Sequence, residues 1–195
     1  MTIMRRNKAF FLDRDGVIIK NIPYLNSIGG LEFLPGVEYA IRLINKSGYK
    51  CIVITNQSGV ARGLVSIDQI EIIHKYIKKS LRKHGAIIDA FYFCPHHPSA
   101  KIAKYAINCE CRKPRAGMFY QAAKDHKLDL SDSVMVGDNN IDIAAGVNAG
   151  CETFQINSNR GDGEYKTGYV SLKQVVSYVL SRERTSKIIS PEEKR

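Results

Sequence analysis

Phe10-Phe11-Leu12-Asp13-Arg14-Asp15-Gly16-Val17-Ile18 carries an unbroken apolar run into two carboxylates set two residues apart and followed by a glycine. In a strand, residues i and i+2 project to the same face, so Asp13 and Asp15 can address one ligand if the extended geometry persists into the loop. Gly16 lets the chain turn away at once without a Cβ clash. Paired acids also occur as solvated loop residues or calcium ligands, so the pair by itself fixes no chemistry.

Two later segments end in the same way, with an apolar run opening onto polar groups. Lys50-Cys51-Ile52-Val53-Ile54 leads into Thr55-Asn56-Gln57-Ser58-Gly59, and Ser133-Val134-Met135-Val136 leads into Gly137-Asp138-Asn139-Asn140-Ile141-Asp142. Between them, Arg112-Lys113-Pro114 places two cations before a helix start. Ligands of open α/β sheets bind at the carboxyl ends of the strands, so one parallel topology would gather all four segments at a single crevice.

The whole chain fits that architecture. Strands are expected near 8–13, 50–54, 89–93, 133–137 and 151–156, and helices near 36–47, 66–84, 115–127, 140–149 and 171–181. Alternation of this kind predicts an α/β, three-layer Rossmann-like fold, a central parallel sheet with helices on both faces. Ser66 and Gln69 form a capping-box pattern at the start of the second helix, and Gly85 closes it. One domain is expected over residues 1–181, with a frayed tail over 182–195.

Composition narrows the class. Across 195 residues, 44% are hydrophobic and 25% charged, and no apolar run approaches the ~20 residues of a membrane span. Met1-Thr2-Ile3-Met4-Arg5-Arg6 is basic, but a strand follows it where a signal peptide would have its apolar region, so a cytoplasmic protein is expected. The formal charge of +10 raises the possibility of a zinc-stabilised nucleic-acid binding module. Lys75, Lys78, Lys79, Arg82 and Lys83, however, share a helix whose stripe of Ile70, Ile73, Ile77 and Leu81 would face the core. Those cations then form a solvated face, and no nucleic-acid partner is expected.

Cys94-x-His96 and Cys109-x-Cys111 make a third feature. They supply four ligands in two close pairs, the composition of a closed tetrahedral zinc site. Such a site leaves no open position, so Zn²⁺ here is expected to be structural. His96 and His97 compete for one position, and spacing does not decide between them. Cys51 and Cys151 fall inside apolar strands and are expected to pack as small hydrophobes.

The order of acid pair, threonine, lysine and acid resembles the four motifs of the haloacid dehalogenase superfamily of phosphotransferases, over about residues 8–156. The D-R-D-G start, the run from Thr55 to Gly63 (T-N-Q-S-G-V-A-R-G), and C-P-H-H-P (Cys94 to Pro98) followed by C-x-C-R-K-P resemble its heptose bisphosphate 7-phosphatase family. Histidinol-phosphate phosphatases have similar motifs and are the nearest alternative. Only 41 residues separate Asp13 from Thr55, so the resemblance implies a member without a large cap domain.

It also implies roles. Asp13 would be the nucleophile, and Asp15 the acid and base through a carboxyl group left free to carry a proton. Thr55 and Lys113 would stabilise the transferring phosphoryl group. Catalytic Mg²⁺ would be held by Asp13, the Asp15 carbonyl and Asp138. Asn56, Gln57, Ser58 and Arg112 would contact substrate, and the Asn21 to Tyr24 loop would help select it. His96 is the zinc-binding histidine of the family pattern. Asp142 is expected to support the site from behind, and Asn139 replaces a lysine expected in some relatives. The implied reaction is removal of the 7-phosphate of a heptose bisphosphate, on the way to nucleotide-activated heptose; separately, a monomer is expected.

Overall fold

A computed structural model describes residues 7–156 and 169–189. It contains strands β1 (Ala9–Leu12), β2 (Lys50–Asn56), β3 (Ala90–Cys94), β4 (Val134–Gly137) and β5 (Glu152–Gln155). The helices are α1 (Val37–Lys46), α2 (Ile67–Lys83), α3 (Gly117–His126), α4 (Asn140–Ala149) and α5 (Leu172–Ile189). All five strands are parallel, in the order β3-β2-β1-β4-β5, with β1 at the centre. Among the described residues no helix is long and apolar enough to cross a membrane.

Alternation along the strands divides the core into two layers. Phe10, Leu12, Cys51, Val53, Val134 and Val136 bury their side chains with α1 and α5, whereas Ala9, Phe11, Ile52, Ile54 and Met135 do so with α3 and α4. Strands buried on both faces read as continuous apolar runs, which is why the three central strands were visible in sequence. α2 has the expected capping box between Ser66 and Gln69 and buries Ile70, Ile73, His74, Ile77 and Leu81. Lys75, Lys79, Arg82 and Lys83 point to solvent.

The register positions the site. Leu12 lies opposite both Val53 and Val136, so Asp13, Thr55 and Asp138 leave neighbouring strands at nearly the same level. Asp13 N–H donates to Val136 O at 3.0 Å, extending the ladder one residue past the strand end.

One boundary corrects the sequence reading. The expected tail begins at residue 182, but α5 continues to Ile189. Arg182 forms a two-pronged ion pair with Glu152 at 2.7 and 2.8 Å, and Glu183 meets Lys8 and Tyr49. These charged residues belong to a helix packed with α1 on one face of the sheet. The basic N-terminal hexapeptide and the end of the expected tail, 190–195, lie outside the described residues.

Candidate active site and metal centres

Above the carboxyl ends of β1, β2 and β4 lies a cleft of about 300 Å³. Asp13, Asp15, Thr55, Lys113 and Asp138 line it, and so do Asn56, Gln57 and Ser58. Asn21, Tyr24 and Arg112 form its rim. Every residue expected around the phosphate is thus in one crevice. Asp142 and Asn139 join them from the first turn of α4.

Lys113 is the hub. Its buried ammonium lies 2.7 Å from Asp13 Oδ1 and 2.6 Å from Asp142 Oδ1, and donates to Ile54 O at 2.8 Å. Burial pulls its pKa down, but the two carboxylates outweigh burial and hold it above the ordinary value. The main chain of Lys113 is fixed as well: Asn56 Oδ1 accepts its N–H and Asn56 Nδ2 donates to its carbonyl, both at 3.1 Å. Asn56 therefore positions Lys113 rather than only facing a ligand.

Asp13, Asp138 and Asp142 bring one carboxylate oxygen each within 4.8 Å of the others. A cluster of hard oxygen donors open to a cleft suits Mg²⁺, which takes a few carboxylates and leaves other positions to water and phosphate. Asn139, not Asp138, caps α4: its side chain accepts from Ile141 N–H at 3.1 Å, and Asp142 Oδ2 accepts from Asn139 N–H at 3.1 Å. Asp138 is left free of capping. Gly16, at φ +77°, makes room for it, since a Cβ there would lie 1.9 Å from Asp138 Oδ2.

Burial raises the Asp138 carboxyl to about 7, assisted by repulsion from Asp13 and Asp142. In metal-free protein the unfolded chain ionises first as pH climbs above its ordinary value of 3.8. The folded state then carries a penalty that is complete above about pH 7. Asp138→Asn is therefore expected to raise the Tm of metal-free protein by a few degrees at about pH 8, and by progressively less towards about pH 5. A stabilisation that grows on acidification would contradict this electrostatic account.

Asp15 has both carboxyl oxygens hydrogen-bonded: Arg14 Nη2 donates to them at 3.0 and 2.9 Å, and Gln57 Nε2 donates to Oδ2 at 3.0 Å. Burial raises its pKa, Arg14 opposes this, and Asp13 adds to it. Gln57 Nε2 also donates to Thr55 Oγ1 at 2.9 Å, leaving the threonine O–H to donate into the cleft. Arg14 and His74 are the participants that sequence reasoning passed over. Their signals were a cation between two acids and a histidine within the apolar stripe of α2.

The cysteine segment forms a second centre. Cys94, Cys109 and Cys111 place their sulfurs 3.2–3.5 Å apart, and His96 Nδ1 lies 3.6 Å from Cys94 Sγ and 3.3 Å from Cys111 Sγ. Tetrahedral zinc with ordinary Zn–S bonds needs sulfurs about 3.8 Å apart, so the four fit once the cluster spreads by about half an ångström. His97 faces elsewhere: its Nδ1 accepts from Ser99 N–H at 3.1 Å, and its Nε2 is 3.5 Å from Arg62 Nη2. Arg112, immediately after the last sulfur, donates to His96 O at 3.1 Å, tying the loop to the cleft rim. Cys51 and Cys151 are buried, as their strands require.

Comparisons with known proteins agree with this geometry. Residues 110–178 match the family described as "HAD-hyrolase-like". The D-glycero-beta-D-manno-heptose-1,7-bisphosphate 7-phosphatase of Haemophilus influenzae is 43% identical over 73% of this chain and 77% of its own length. Its namesake from Haemophilus ducreyi is 38% identical over 88% and 98%. Among solved structures, D,D-heptose 1,7-bisphosphate phosphatase from B. bronchiseptica, complexed with magnesium and phosphate, superposes with a TM-score of 0.77. It has 30% identity and covers 90% of this chain and 99% of that one.

Proposed function

The chain belongs to the heptose bisphosphate phosphatase family of haloacid dehalogenase-like hydrolases and is a phosphoric monoester hydrolase, and from that premise we propose that it removes the 7-phosphate of D-glycero-D-manno-heptose 1,7-bisphosphate. The observation that carries the reading is the Lys113 ammonium between Asp13 and Asp142, with Asp138 beside them, at the floor of a cleft. A phosphate dianion repels nucleophiles, so its hydrolysis needs charge neutralisation, an aligned attacking group and a proton for the departing alkoxide.

Asp13 attacks phosphorus, the bond to the sugar oxygen breaks, and an aspartyl phosphate forms. Asp15 gives its proton to the departing oxygen and then takes one from the water that attacks the phosphoenzyme, which frees Asp13 and releases inorganic phosphate. Lys113 neutralises the phosphoryl oxygens, and the Thr55 O–H donates to one of them. Asn21, Tyr24 and Arg112 at the rim select the sugar and its second phosphate. Mg²⁺, held by Asp13, Asp138 and the Asp15 carbonyl, would supply further positive charge at the phosphate. Zn²⁺, held by Cys94, His96, Cys109 and Cys111, would brace the rim. A cytoplasmic setting belongs to the same reading, supported by five unpaired thiols.

The test is kcat/KM on a panel of sugar phosphates and histidinol phosphate, with Mg²⁺ and with EDTA. The heptose bisphosphate is expected to lead by at least about 100-fold, with activity lost in EDTA and restored by Mg²⁺. A preference for histidinol phosphate would overturn the substrate.

A further inference from the structure

Arg14 is 1% exposed, so its guanidinium must find all its partners within the protein. Nε and Nη2 are committed to Asp15 and to Gln57 Oε1, at 2.9–3.2 Å. Nη1 has one hydrogen-bond partner among the described residues, His74 Nε2 at 3.4 Å. A guanidinium can only donate. The facing imidazole nitrogen must therefore be the bare one, which places the proton of a neutral His74 on Nδ1.

The ring is held in that orientation from two sides. It stacks on Phe91 with centroids 4.4 Å apart and planes 20° from parallel, and meets the edge of Phe93 at 5.6 Å. Burial, and then the neighbouring Arg14, push His74 down to about 3, so it stays neutral at every working pH. An ordinary core residue in an apolar helix stripe needs no acceptor. Here the acceptor meets the one guanidinium nitrogen that Asp15 and Gln57 leave free.

We propose that His74 is a positioning residue for proton transfer: by accepting from Arg14 Nη1 it sets the angle of the guanidinium fork, and through the fork the positions of Asp15 and Gln57. Gln57 in turn orients the Thr55 hydroxyl. An aromatic or aliphatic residue at position 74 fills the space but leaves Nη1 with an unmet donor in a dry site. Arg14 must then swing, taking the Asp15 carboxyl with it.

This inference rests on the phosphatase reading, in which Asp15 protonates the departing alkoxide, and that dependence supplies its test. Two esters are compared: a sugar phosphate that the wild type turns over, and p-nitrophenyl phosphate, whose phenolate leaves without a proton. Compared as kcat/KM, which reports the steps up to release of the alcohol and not the later attack of water that also uses Asp15, His74→Phe is expected to lose about 10- to 100-fold on the sugar phosphate and less than about threefold on the aryl ester. His74→Leu, which avoids crowding against Phe91 and Phe93, should reproduce the pattern. His74→Gln, whose Oε1 can reach the place of Nε2, should restore the sugar phosphate rate to within about threefold of wild type.

Equal losses on both esters, no loss on either, or a glutamine variant as impaired as the phenylalanine one would overturn the positioning role while leaving the phosphatase reading intact. Release of phosphate from neither ester by the wild type would remove both.

Discussion

Asp13→Asn is expected to reduce kcat by at least about 10³-fold, to the limit of detection in an ordinary phosphate-release assay, with little change in fold. An amide is almost the same shape as the carboxylate but is a very poor nucleophile towards phosphorus. The structural cost is small because Lys113 keeps Asp142 Oδ1 at 2.6 Å and Ile54 O at 2.8 Å, and the amide oxygen can still accept from its ammonium. Losing one charge also relieves the crowded acids: Asp138, held up by burial and by Asp13 and Asp142, loses one of two repelling neighbours. The two effects oppose each other, so Tm should move by no more than about 5 °C. Rapid acid quench after mixing with phosphate-labelled substrate should trap labelled protein from the wild type and none from the variant. Near wild-type turnover by Asp13→Asn would remove this residue from the chemistry.

The convergence behind that prediction was legible because of a property of parallel sheets. A strand buried on both faces stays apolar until close to its end, so Leu12 to Asp13 and Gly137 to Asp138 mark strand termini in the bare sequence and Ile54 to Thr55 marks off the last two residues of β2. The common register of β1, β2 and β4 then sets the three termini side by side. Arg14 escaped because alternation assigns it to the face opposite Asp13, where a charge has no obvious place. It lies there because Asp15, Gln57 and His74 meet its donors. His74 escaped because periodicity records position on a helix face and not what lies across from it.

The end of α5 was misread for a related reason. Ser181-Arg182-Glu183-Arg184 has the composition of a solvated tail, yet Arg182 and Glu183 find partners on β5, Lys8 and Tyr49, contacts more than 25 residues away in sequence. Asp15 illustrates the same limit at the site itself. Its place in the D-x-D pattern was readable, but its two-pronged partner was not, because neighbours in a loop can be predicted to be near each other without their directions being known.

Cys109→Ser is expected to take zinc content from about one per chain to nearly none and to lower Tm by more than about 10 °C. Structural zinc contributes ~10 to 16 kcal/mol of apparent free energy in small sites of this kind, and a serine hydroxyl is a poor replacement for a thiolate in a tetrahedral set. Away from the ligands the loop is tied down at its far end, where the Lys101 and Ile102 N–H groups donate to Ala61 O at 3.0 and 3.1 Å, but the Cys109 end has few such ties. Arg115 Nη1 donates to Cys109 O at 2.7 Å and Gly117 N–H to Glu110 O at 3.0 Å, but both contacts join nearby residues of the same segment. Lys113, by contrast, is secured from outside the loop by Asn56, Asp13 and Asp142. The variant's kcat on protein still folded at 25 °C should therefore fall less than about tenfold, with the larger effect on KM, because the rim residue Arg112 follows the zinc ligands directly and donates to His96 O. A variant that still binds one zinc per chain would show that Cys109 is not a ligand. Intact zinc loss with an unchanged Tm would show instead that the metal does not brace the fold.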